Sequence, residues 1–303
     1  MNHWNEQRRE MERELGEAIT LDALTGPLGH VGLPREDDSG AAAGWLIAQR
    51  KNGHRHSIDD VLTAWYALQV SPPVTHHLDL GTGIGTVGFL TLWGMGHQAR
   101  LTCIEAQDIS FRLLRANLNL NDLHSRVAFH HGDLRHLDQY LPVGSRFPLI
   151  TGSPPYFPPG AGVLPQDSQK AHARFELRGD ICDYARAAAP RLCRGGWLVL
   201  CFPAPQKQRA MNGIAAAGLR TVRCRDVIPR ATLPALFTLF ACQLSASETG
   251  AQAIEESPLT VRHSNGRLTE EMADVRYRFG FPHGPAHGGY EPDPAERERN
   301  EVP

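Results

Sequence analysis

Short hydrophobic runs alternate with longer amphipathic segments from about residue 76 onward. The strand-like runs cover residues 77–80, 101–105, 127–130, 149–152 and 197–202. The helix-like segments cover residues 86–93, 109–121, 181–192 and 206–217. Strands that alternate with helices indicate parallel β–α–β units. The pattern therefore predicts an α/β fold, with a doubly wound sheet and helices on both faces.

Two more strand-like runs, residues 221–228 and 236–244, follow with little helix between them. They predict a terminal antiparallel hairpin. A mostly parallel, seven-stranded sheet that ends in such a hairpin is typical of the Rossmann-like class I methyltransferase fold. Further upstream, Ser57 has the residue type of a helix N-cap, and Ser71-Pro72-Pro73 would stop the helix that it begins.

Composition divides the chain into three parts. Residues 1–44 are expected to form an arm, with a polar helix or loose segment to about residue 20 and a flexible loop over residues 34–44. Residues 45–280 hold the periodic core and begin with a short strand over residues 45–49. Residues 281–303 are rich in Pro, Gly, His and Glu, and we expect this tail to be disordered.

Bulk properties narrow the class of protein. Of 303 residues, 41% are hydrophobic and 21% are charged, which is typical of a soluble globular domain. The net charge of −2 argues against a protein that coats nucleic acid through bulk charge, but it is compatible with a local basic groove. The charged N-terminus is unlike a signal peptide. No apolar run is long enough to span a membrane. The six cysteines are scattered, without Cys-x-x-Cys pairs, which favours free thiols in a reducing cytoplasm.

A glycine-rich loop follows the first strand of the core, in the run Asp79-Leu80-Gly81-Thr82-Gly83-Ile84-Gly85. Glycines let the backbone approach a ligand closely, and the free N–H groups of the next helix face that ligand. A carboxylate at Asp79 can accept hydrogen bonds from the amino group of the methionine part of S-adenosylmethionine. We therefore assign to a cofactor site the residues Asp79, Gly81, Thr82, Gly83 and Gly85.

Acidic residues also follow the next two strands. Glu105, about 20 residues after the glycines, is expected to bind ribose hydroxyls, and Asp133 is expected to accept from an adenine amino group. Their neighbours Ala106 and Leu134 are assigned to the same site. The glycine spacing fits the dinucleotide-binding pattern only loosely. Asp79, Asp133 and the Ser-Pro-Pro-Tyr run after the fourth strand together favour S-adenosylmethionine over NAD.

The fourth strand of the core ends in Ser153-Pro154-Pro155-Tyr156. The prolines stiffen this loop and hold Ser153 and Pro154 extended. The Ser153 side chain and the Pro154 carbonyl would accept hydrogen bonds from the N–H groups of an exocyclic amine. These bonds would localise the lone pair on the amine nitrogen. Tyr156 would stack on the planar substrate. We therefore assign catalysis to these four residues. An ordinary loop between strand and helix is the alternative, and Phe157 either lines the substrate pocket with Tyr156 or only packs.

Five stretches carry a family resemblance: residues 49–59, 78–85, 115–121, 153–157, and 257–261 together with 268–271. Residues 171–176 add an Ala-Arg-x-Glu element. Over about residues 21–279 the chain resembles the bacterial methyltransferases that modify adenine N6 in the anticodon loop of valine tRNA, and their relatives. The resemblance implies S-adenosylmethionine as methyl donor. It also implies that Arg55, Ser57 and Asp59 lie near the cofactor, with capping of the next helix as the alternative for each.

The chain departs from that family at Ser153, where the family usually has Asn. Ser-Pro-Pro-Tyr occurs in related enzymes that act on cytosine N4, so the target base stays open. An RNA base, adenine N6 first, is the favoured acceptor. The alternatives are the same chemistry on a protein glutamine or a small molecule, and a non-catalytic RNA-binding protein that kept the fold.

Arginines supply candidate RNA contacts. Arg174 should lie at the mouth of the site, so we assign it to substrate binding, and Arg178 is a second candidate for phosphates. The cluster Arg220, Arg223 and Arg225 fits a solvated charged face better. The histidines lack the spacing of a metal site, so no metal is expected. We predict tRNA or another structured RNA as the partner, in the cytoplasm.

Overall fold

The structure is a computed structural model that describes residues 2–28, 44–245 and 252–283. Its strands are β1 Ile19–Ala23, β2 Leu46–Arg50, β3 His76–Leu80, β4 Arg100–Glu105, β5 Val127–His131, β6 Phe147–Gly152, β7 Leu192–Pro203, β8 Leu219–Ile228, β9 Phe237–Leu244 and β10 Ile254–Thr260. Its α-helices are α1 Asn2–Leu15, α2 Ile58–Val70, α3 Thr86–Met95, α4 Asp108–Leu120, α5 Ser168–Arg174, α6 Ile181–Ala188, α7 Lys207–Ala216 and α8 Glu270–Arg278. The predicted loop over residues 34–43 and the predicted tail from residue 284 onward lie outside the described residues.

One large sheet has the strand order β10–β8–β9–β7–β6–β3–β4–β5. Strands β3 to β7 pair in parallel, whereas β9 is antiparallel to both β7 and β8. The predicted α/β fold, mostly parallel sheet and terminal antiparallel hairpin are therefore confirmed. Because the parallel strands share one direction, the loops after β3, β4, β5 and β6 all emerge at the same edge.

The prediction of seven strands was wrong by one. The eighth strand of the sheet, β10, pairs in parallel with β8 at the sheet edge. Its sequence, Ile-Glu-Glu-Ser-Pro-Leu-Thr, mixes charges with a proline and gives no strand-like alternation. Proline is tolerated on an edge strand or at a bulge, and the pairing register shifts between Glu256 and Leu259, on either side of Pro258.

Hydrophobic clusters cover both faces of the sheet. One face packs against α2, α3, α4 and α8 through residues that include Leu62, Phe89, Leu114 and Met272. The other face packs against α6 and α7 through residues that include Ile181, Tyr184, Ala210 and Ile214. The predicted helices on both faces are thus present. None of the helices within residues 2–28, 44–245 and 252–283 is long and apolar enough to cross a membrane.

The N-terminal elements attach to α4. Strand β1, in a segment expected to be helical or loose, pairs antiparallel with β2. The buried side chain of Asn117 on α4 accepts from the Ala48 amide (2.7 Å) and donates to the Ala48 carbonyl (3.1 Å), as a neighbouring strand would. It also donates to the carbonyl of Ile84 in the glycine loop (3.0 Å). Asn117 therefore ties β2 to the loop that was assigned to the cofactor.

Candidate active site

A cleft of about 310 Å³ opens at the carboxyl edge of the large sheet. It lies where the strand order reverses, between β3 and β6, which is the usual ligand position in open α/β sheets. Its wall contains most of the residues assigned from the sequence: Asp79, Gly81, Thr82, Gly83, Glu105, Ala106, Asp133, Leu134, Ser153, Pro154, Pro155, Tyr156, Phe157 and Arg174.

Two residues assigned to the cofactor lie outside this wall. Arg55 donates to Oγ1 of Thr20 (2.8 Å) and to Oδ2 of Asp22 (3.0 Å), both on β1. Gly85 has a φ of +106°, and a Cβ at this position would lie 2.9 Å from the Phe89 ring. In the structure Arg55 therefore anchors the N-terminal strand and Gly85 shapes the turn into α3. Cofactor contact stays a prediction for both.

The glycine loop joins β3 to α3. Gly81 and Gly83 have φ values of +58° and +59°, the left-handed region that favours glycine. A Cβ on Gly81 would lie 2.0 Å from the Tyr184 hydroxyl oxygen, whereas a Cβ on Gly83 would meet no heavy atom within 4 Å. Gly81 is thus required by packing, and Gly83 presents bare backbone to the open cleft.

Asp79 sits beneath this loop with 1% of its surface exposed. Its carboxylate accepts hydrogen bonds from the hydroxyls of Thr151 (2.5 Å) and Thr82. Burial raises the pKa of Asp79 to about 6, against these hydrogen bonds and one from the backbone of Gly88, which lower it. The carboxylate thus holds the glycine loop in place and is charged at neutral pH.

Glu105 ends β4 and is 8% exposed. One carboxylate oxygen accepts from the Gly83 amide (2.8 Å) and the other accepts from the Gln107 amide (2.7 Å). Burial raises the pKa of Glu105, and these two backbone hydrogen bonds oppose that increase. Each carboxylate oxygen can accept more than one hydrogen bond, so Glu105 can bind a hydroxyl donor without releasing the loop.

Asp133 follows β5 and caps a short 3₁₀ helix, Leu134–Gln139. It accepts from the backbone amide of Arg135 (2.9 Å) and pairs with the guanidinium of the same residue (2.6 Å). The Leu134 side chain is buried beside it. An adenine amino group at this position would share the Asp133 carboxylate with Arg135.

The loop assigned to catalysis, residues 153–156 and called the catalytic loop below, leaves β6 beside the glycine loop because Gly152 pairs with Leu80 of β3. The Ser153 hydroxyl lies 3.4 Å from the buried thiol of Cys201 on β7. The backbone of Tyr156 donates to the carbonyl of Arg174 (3.0 Å) and accepts from Nε2 of Gln206 (2.9 Å). Its ring packs edge-on against Phe202 at 6.0 Å. The loop is thus fixed at its backbone and at its aromatic ring.

Asp59, in the first turn of α2, reaches the same loop. Its Oδ2 accepts a 2.5 Å hydrogen bond from the Tyr156 hydroxyl, and that hydroxyl also lies 3.3 Å from the Cys201 sulfur. Ser57 donates to the other carboxylate oxygen of Asp59. Ser57 and Asp59 both line the cleft, so the segment before the sheet forms part of the site.

Helix α5 lines the cleft through Gln169, His172, Ala173 and Arg174. Gln169 is 1% exposed, and its Oε1 accepts from the backbone amide of His54 (3.2 Å) while its Nε2 donates to Ser110 (3.3 Å). Arg50 pairs with Asp167 (2.8 Å) just before the helix. The segment before the sheet, α4 and α5 therefore meet around one buried amide. No sequence pattern indicated Gln169, because its partners are distant along the chain.

The rim of the cleft combines aromatic and basic groups. Phe157 is 42% exposed, with its ring 5.6 Å from that of Phe175. Arg174 is exposed on the rim, and Arg178 donates to the carbonyl of Ala106. Among the residues that the structure describes, no group of three or more His, Cys, Asp or Glu side chains is arranged to hold a metal ion.

The arginine cluster on β8 is engaged in the fold. Arg223 pairs with Glu256 on β10 (2.5 Å), and Arg225 pairs with Glu271 on α8 (2.7 Å). Arg220 donates to the side chain of Gln243 (3.3 Å). The first two contacts attach β10 and α8 to the sheet, the third joins β8 to β9, and none of these residues lines the cleft.

Comparisons with known proteins find relatives along most of the chain. It is 25% identical over 222 residues to the tRNA1(Val) (adenine(37)-N6)-methyltransferase of Shewanella sp. (strain MR-7), across 72% of this chain and 88% of the relative. It is 32% identical over 151 residues to the protein of the same name from Porphyromonas gingivalis, across 47% of this chain and 56% of the relative. The chain is therefore homologous to proteins of that name. No family model matches it.

A solved structure shares the fold. The crystal structure of a predicted O-methyltransferase from Agrobacterium tumefaciens superposes with a TM-score of 0.53 at 20% sequence identity. The match covers 74% of this chain and 98% of that protein. At this identity the likeness establishes the methyltransferase fold and says nothing about the methyl acceptor.

Proposed function

We propose that this protein is an S-adenosylmethionine-dependent methyltransferase that methylates the exocyclic N6 of adenine in tRNA, with residues 45–280 as its catalytic domain. One observation carries the proposal: the glycine loop after β3 and the Ser153–Tyr156 loop after β6 line one cleft, because they end neighbouring parallel strands. A methyl donor held at the first loop would face an amine held at the second. The names of the homologues supply the acceptor, adenine in tRNA.

The residues of the cleft fit S-adenosylmethionine. Gly83 leaves open space where a side chain would otherwise stand, and Glu105 keeps accepting capacity for ribose hydroxyls. Leu134 and Val87 add apolar wall for an adenine ring, and Asp79 adds negative charge for an ammonium group. When bound, the cofactor supplies an electrophilic methyl group on a sulfonium.

The catalytic loop would hold the amine. The Ser153 hydroxyl and the Pro154 carbonyl would accept its two N–H groups, which favours a pyramidal nitrogen with a localised lone pair. The Tyr156 ring would bound one face of the base. Most of the rate gain would come from alignment of the nitrogen with the methyl group, so no strong base is needed if the proton leaves after transfer.

The proposed partner is RNA, bound at the rim of the cleft. Arg174 is exposed beside the catalytic loop and would contact phosphate, and the exposed Phe157 would contact a neighbouring base. A cytoplasmic location follows from this substrate and remains a prediction.

Methyl transfer from radiolabelled S-adenosylmethionine to total bacterial tRNA, followed by nucleoside analysis, tests the proposal. We expect label in N6-methyladenosine. Label in N4-methylcytidine would correct the base, and label only in protein or small metabolites incubated in parallel would overturn the RNA acceptor. Cofactor binding without transfer to any acceptor would favour a non-catalytic RNA-binding protein.

A matched pair of tRNA1(Val) transcripts tests the position. One carries adenine at position 37 and the other carries guanine there. Transfer to the first transcript alone would support the site named for the homologues. Equal transfer to both would assign the methyl group to another base.

A further inference from the structure

The hydrogen bond from Tyr156 to Asp59 joins two segments that are 97 residues apart in the chain. An O–H···O⁻ distance of 2.5 Å is in the range of charge-assisted hydrogen bonds. Burial raises the pKa of the Tyr156 phenol well above its usual range, so the phenol stays protonated and donates. The contact therefore holds the hydroxyl end of the Tyr156 side chain in place.

Asp59 is itself held in a defined orientation. Its Oδ1 accepts from the Ser57 hydroxyl, and its backbone carbonyl accepts from Oγ1 of Thr63 (2.7 Å). The next residue, Asp60, is engaged separately, since its carboxylate accepts from the Ser57 amide in the capping box of α2 (3.1 Å). Asp60 therefore caps the start of α2, while Oδ2 of Asp59 accepts from Tyr156.

The Tyr156 hydroxyl is also linked to Ser153. Cys201 has its sulfur 3.3 Å from the tyrosine hydroxyl and 3.4 Å from the Ser153 hydroxyl. Cys201 is fully buried, and burial raises the pKa of its thiol to about 12, so it remains neutral. A continuous polar chain therefore runs from Asp59 through Tyr156 and Cys201 to the residue that would accept the substrate amine.

We infer that Asp59 is a positioning residue for methyl transfer, acting through Tyr156 on the catalytic loop and not as a cofactor ligand. The inference rests on the proposed methyltransferase activity. Loss of the carboxylate frees the tyrosine ring to rotate away from Phe202, and the substrate base then loses its wall. Misplacement by about 1 Å is enough to slow an enzymatic step about 100-fold.

A double-mutant cycle on the full chain tests this role. Single-turnover transfer to tRNA at saturating S-adenosylmethionine is measured for Asp59→Ala, Tyr156→Phe and the double variant. Each single change should slow transfer by about 10- to 100-fold, and the double variant should be no slower than the slower single. Asp59→Asn keeps a carbonyl acceptor and should restore most of the rate. Glu271→Gln, which alters a distant ion-paired carboxylate, is the matched control.

Calorimetry separates positioning from cofactor binding. The affinity for S-adenosylmethionine should stay within about twofold in Asp59→Ala, because the inference assigns the loss to the transfer rate. Multiplicative rate losses in the double variant, or a loss that falls on cofactor affinity, would overturn the positioning role.

Urea unfolding of the wild type, the two single variants Asp59→Ala and Tyr156→Phe, and the double variant tests the contact without an activity measurement. The shifts of the unfolding midpoint in Asp59→Ala and Tyr156→Phe should be non-additive, since both remove one hydrogen bond. Additive shifts would overturn the contact itself. A wild-type protein that transfers methyl groups to no acceptor would instead overturn the proposed function, so the two failures are distinguishable.

Discussion

The hydroxyl of Thr151 on β6 donates a 2.5 Å hydrogen bond to Oδ1 of Asp79 on the neighbouring strand β3. Thr151 uses its only proton in this contact, so its oxygen accepts from Nε2–H of His77 at 2.7 Å. Nδ1 of His77 then carries no proton, and it has no hydrogen-bond partner among the described residues. Burial lowers the pKa of His77 to about 3, which keeps the ring neutral. The two strands that carry the proposed cofactor and catalytic loops therefore share one buried polar network.

Thr151→Val should destabilise the protein by roughly 1–3 kcal/mol, because it leaves a buried carboxylate oxygen and a buried imidazole N–H without their partner. Urea unfolding measures the loss. Thr91→Val is the matched control, since this buried hydroxyl donates to the carbonyl of Val87 within α3 (2.8 Å) and its removal should lower stability by less than about 1 kcal/mol. Equal losses in the two variants would contradict a special role for Thr151.

The pH dependence of stability should carry a signature of Asp79. Its pKa is raised from 3.8 to about 6 on folding, so its favourable contribution is complete below pH 3.8 and is lost as the pH rises through 6. The difference corresponds to about 3 kcal/mol. The free energy of unfolding of the wild type minus that of Asp79→Asn should fall by about 2.4 kcal/mol between pH 4 and pH 7.5, because a small part of the contribution is already lost at pH 4. A difference that does not change with pH would contradict the raised pKa.

Two glycines with positive φ should distinguish the effect of backbone strain from the effect on ligand binding. Gly83 and Gly218 have φ values of +59° and +77°, and a Cβ at either position meets no heavy atom within 4 Å. Alanine should lower the stability of each variant by about 1–2 kcal/mol, the strain of a left-handed residue. Gly83→Ala alone should weaken S-adenosylmethionine binding in calorimetry, since its methyl group enters the cleft. Equal affinity in both variants would remove Gly83 from the cofactor site.

Arg174→Ala should weaken tRNA binding and reduce the slope of log affinity against log salt by about one. The affinity for S-adenosylmethionine should not change. Arg220→Ala is the control, because that residue lies near the start of β8, at the opposite edge of the sheet, and donates to Gln243. The same change of slope in both variants would show that Arg174 contributes only to the general charge.

Asn117→Ala should destabilise the protein by roughly 2–4 kcal/mol. The Asn117 side chain is fully buried and makes hydrogen bonds to three backbone groups of Ala48 and Ile84. Asn121 makes a similar pair of bonds to Leu46 at the exposed end of the helix, and Asn121→Ala should lower stability by less than about 1 kcal/mol. Denaturant midpoints measure both. A larger loss for Asn121→Ala would contradict this ranking.

Local patterns predicted much of the candidate site. The glycine loop and the Ser153–Tyr156 loop each follow an apolar strand, and parallel strands bring such loops to one edge. Arg55 and Gly85 illustrate the limit of this reasoning: both belong to stretches that carry the family resemblance, yet one pairs with Asp22 and the other packs on Phe89. A short motif gives the neighbourhood of a residue but not the contacts that it makes.

The sequence by itself determined strands β3 to β7 with helices α3, α4, α6 and α7, the terminal hairpin, and the two loops that line the cleft. These follow from periodicity and turn chemistry, which act over a few residues. Only the tertiary structure decided that β10 joins the sheet edge, that Gln169 joins α5 to the segment before the sheet, and that Asp59 accepts from Tyr156. Each of these depends on polar groups far apart in the chain, which become partners only after packing fixes the register and brings them within hydrogen-bond distance.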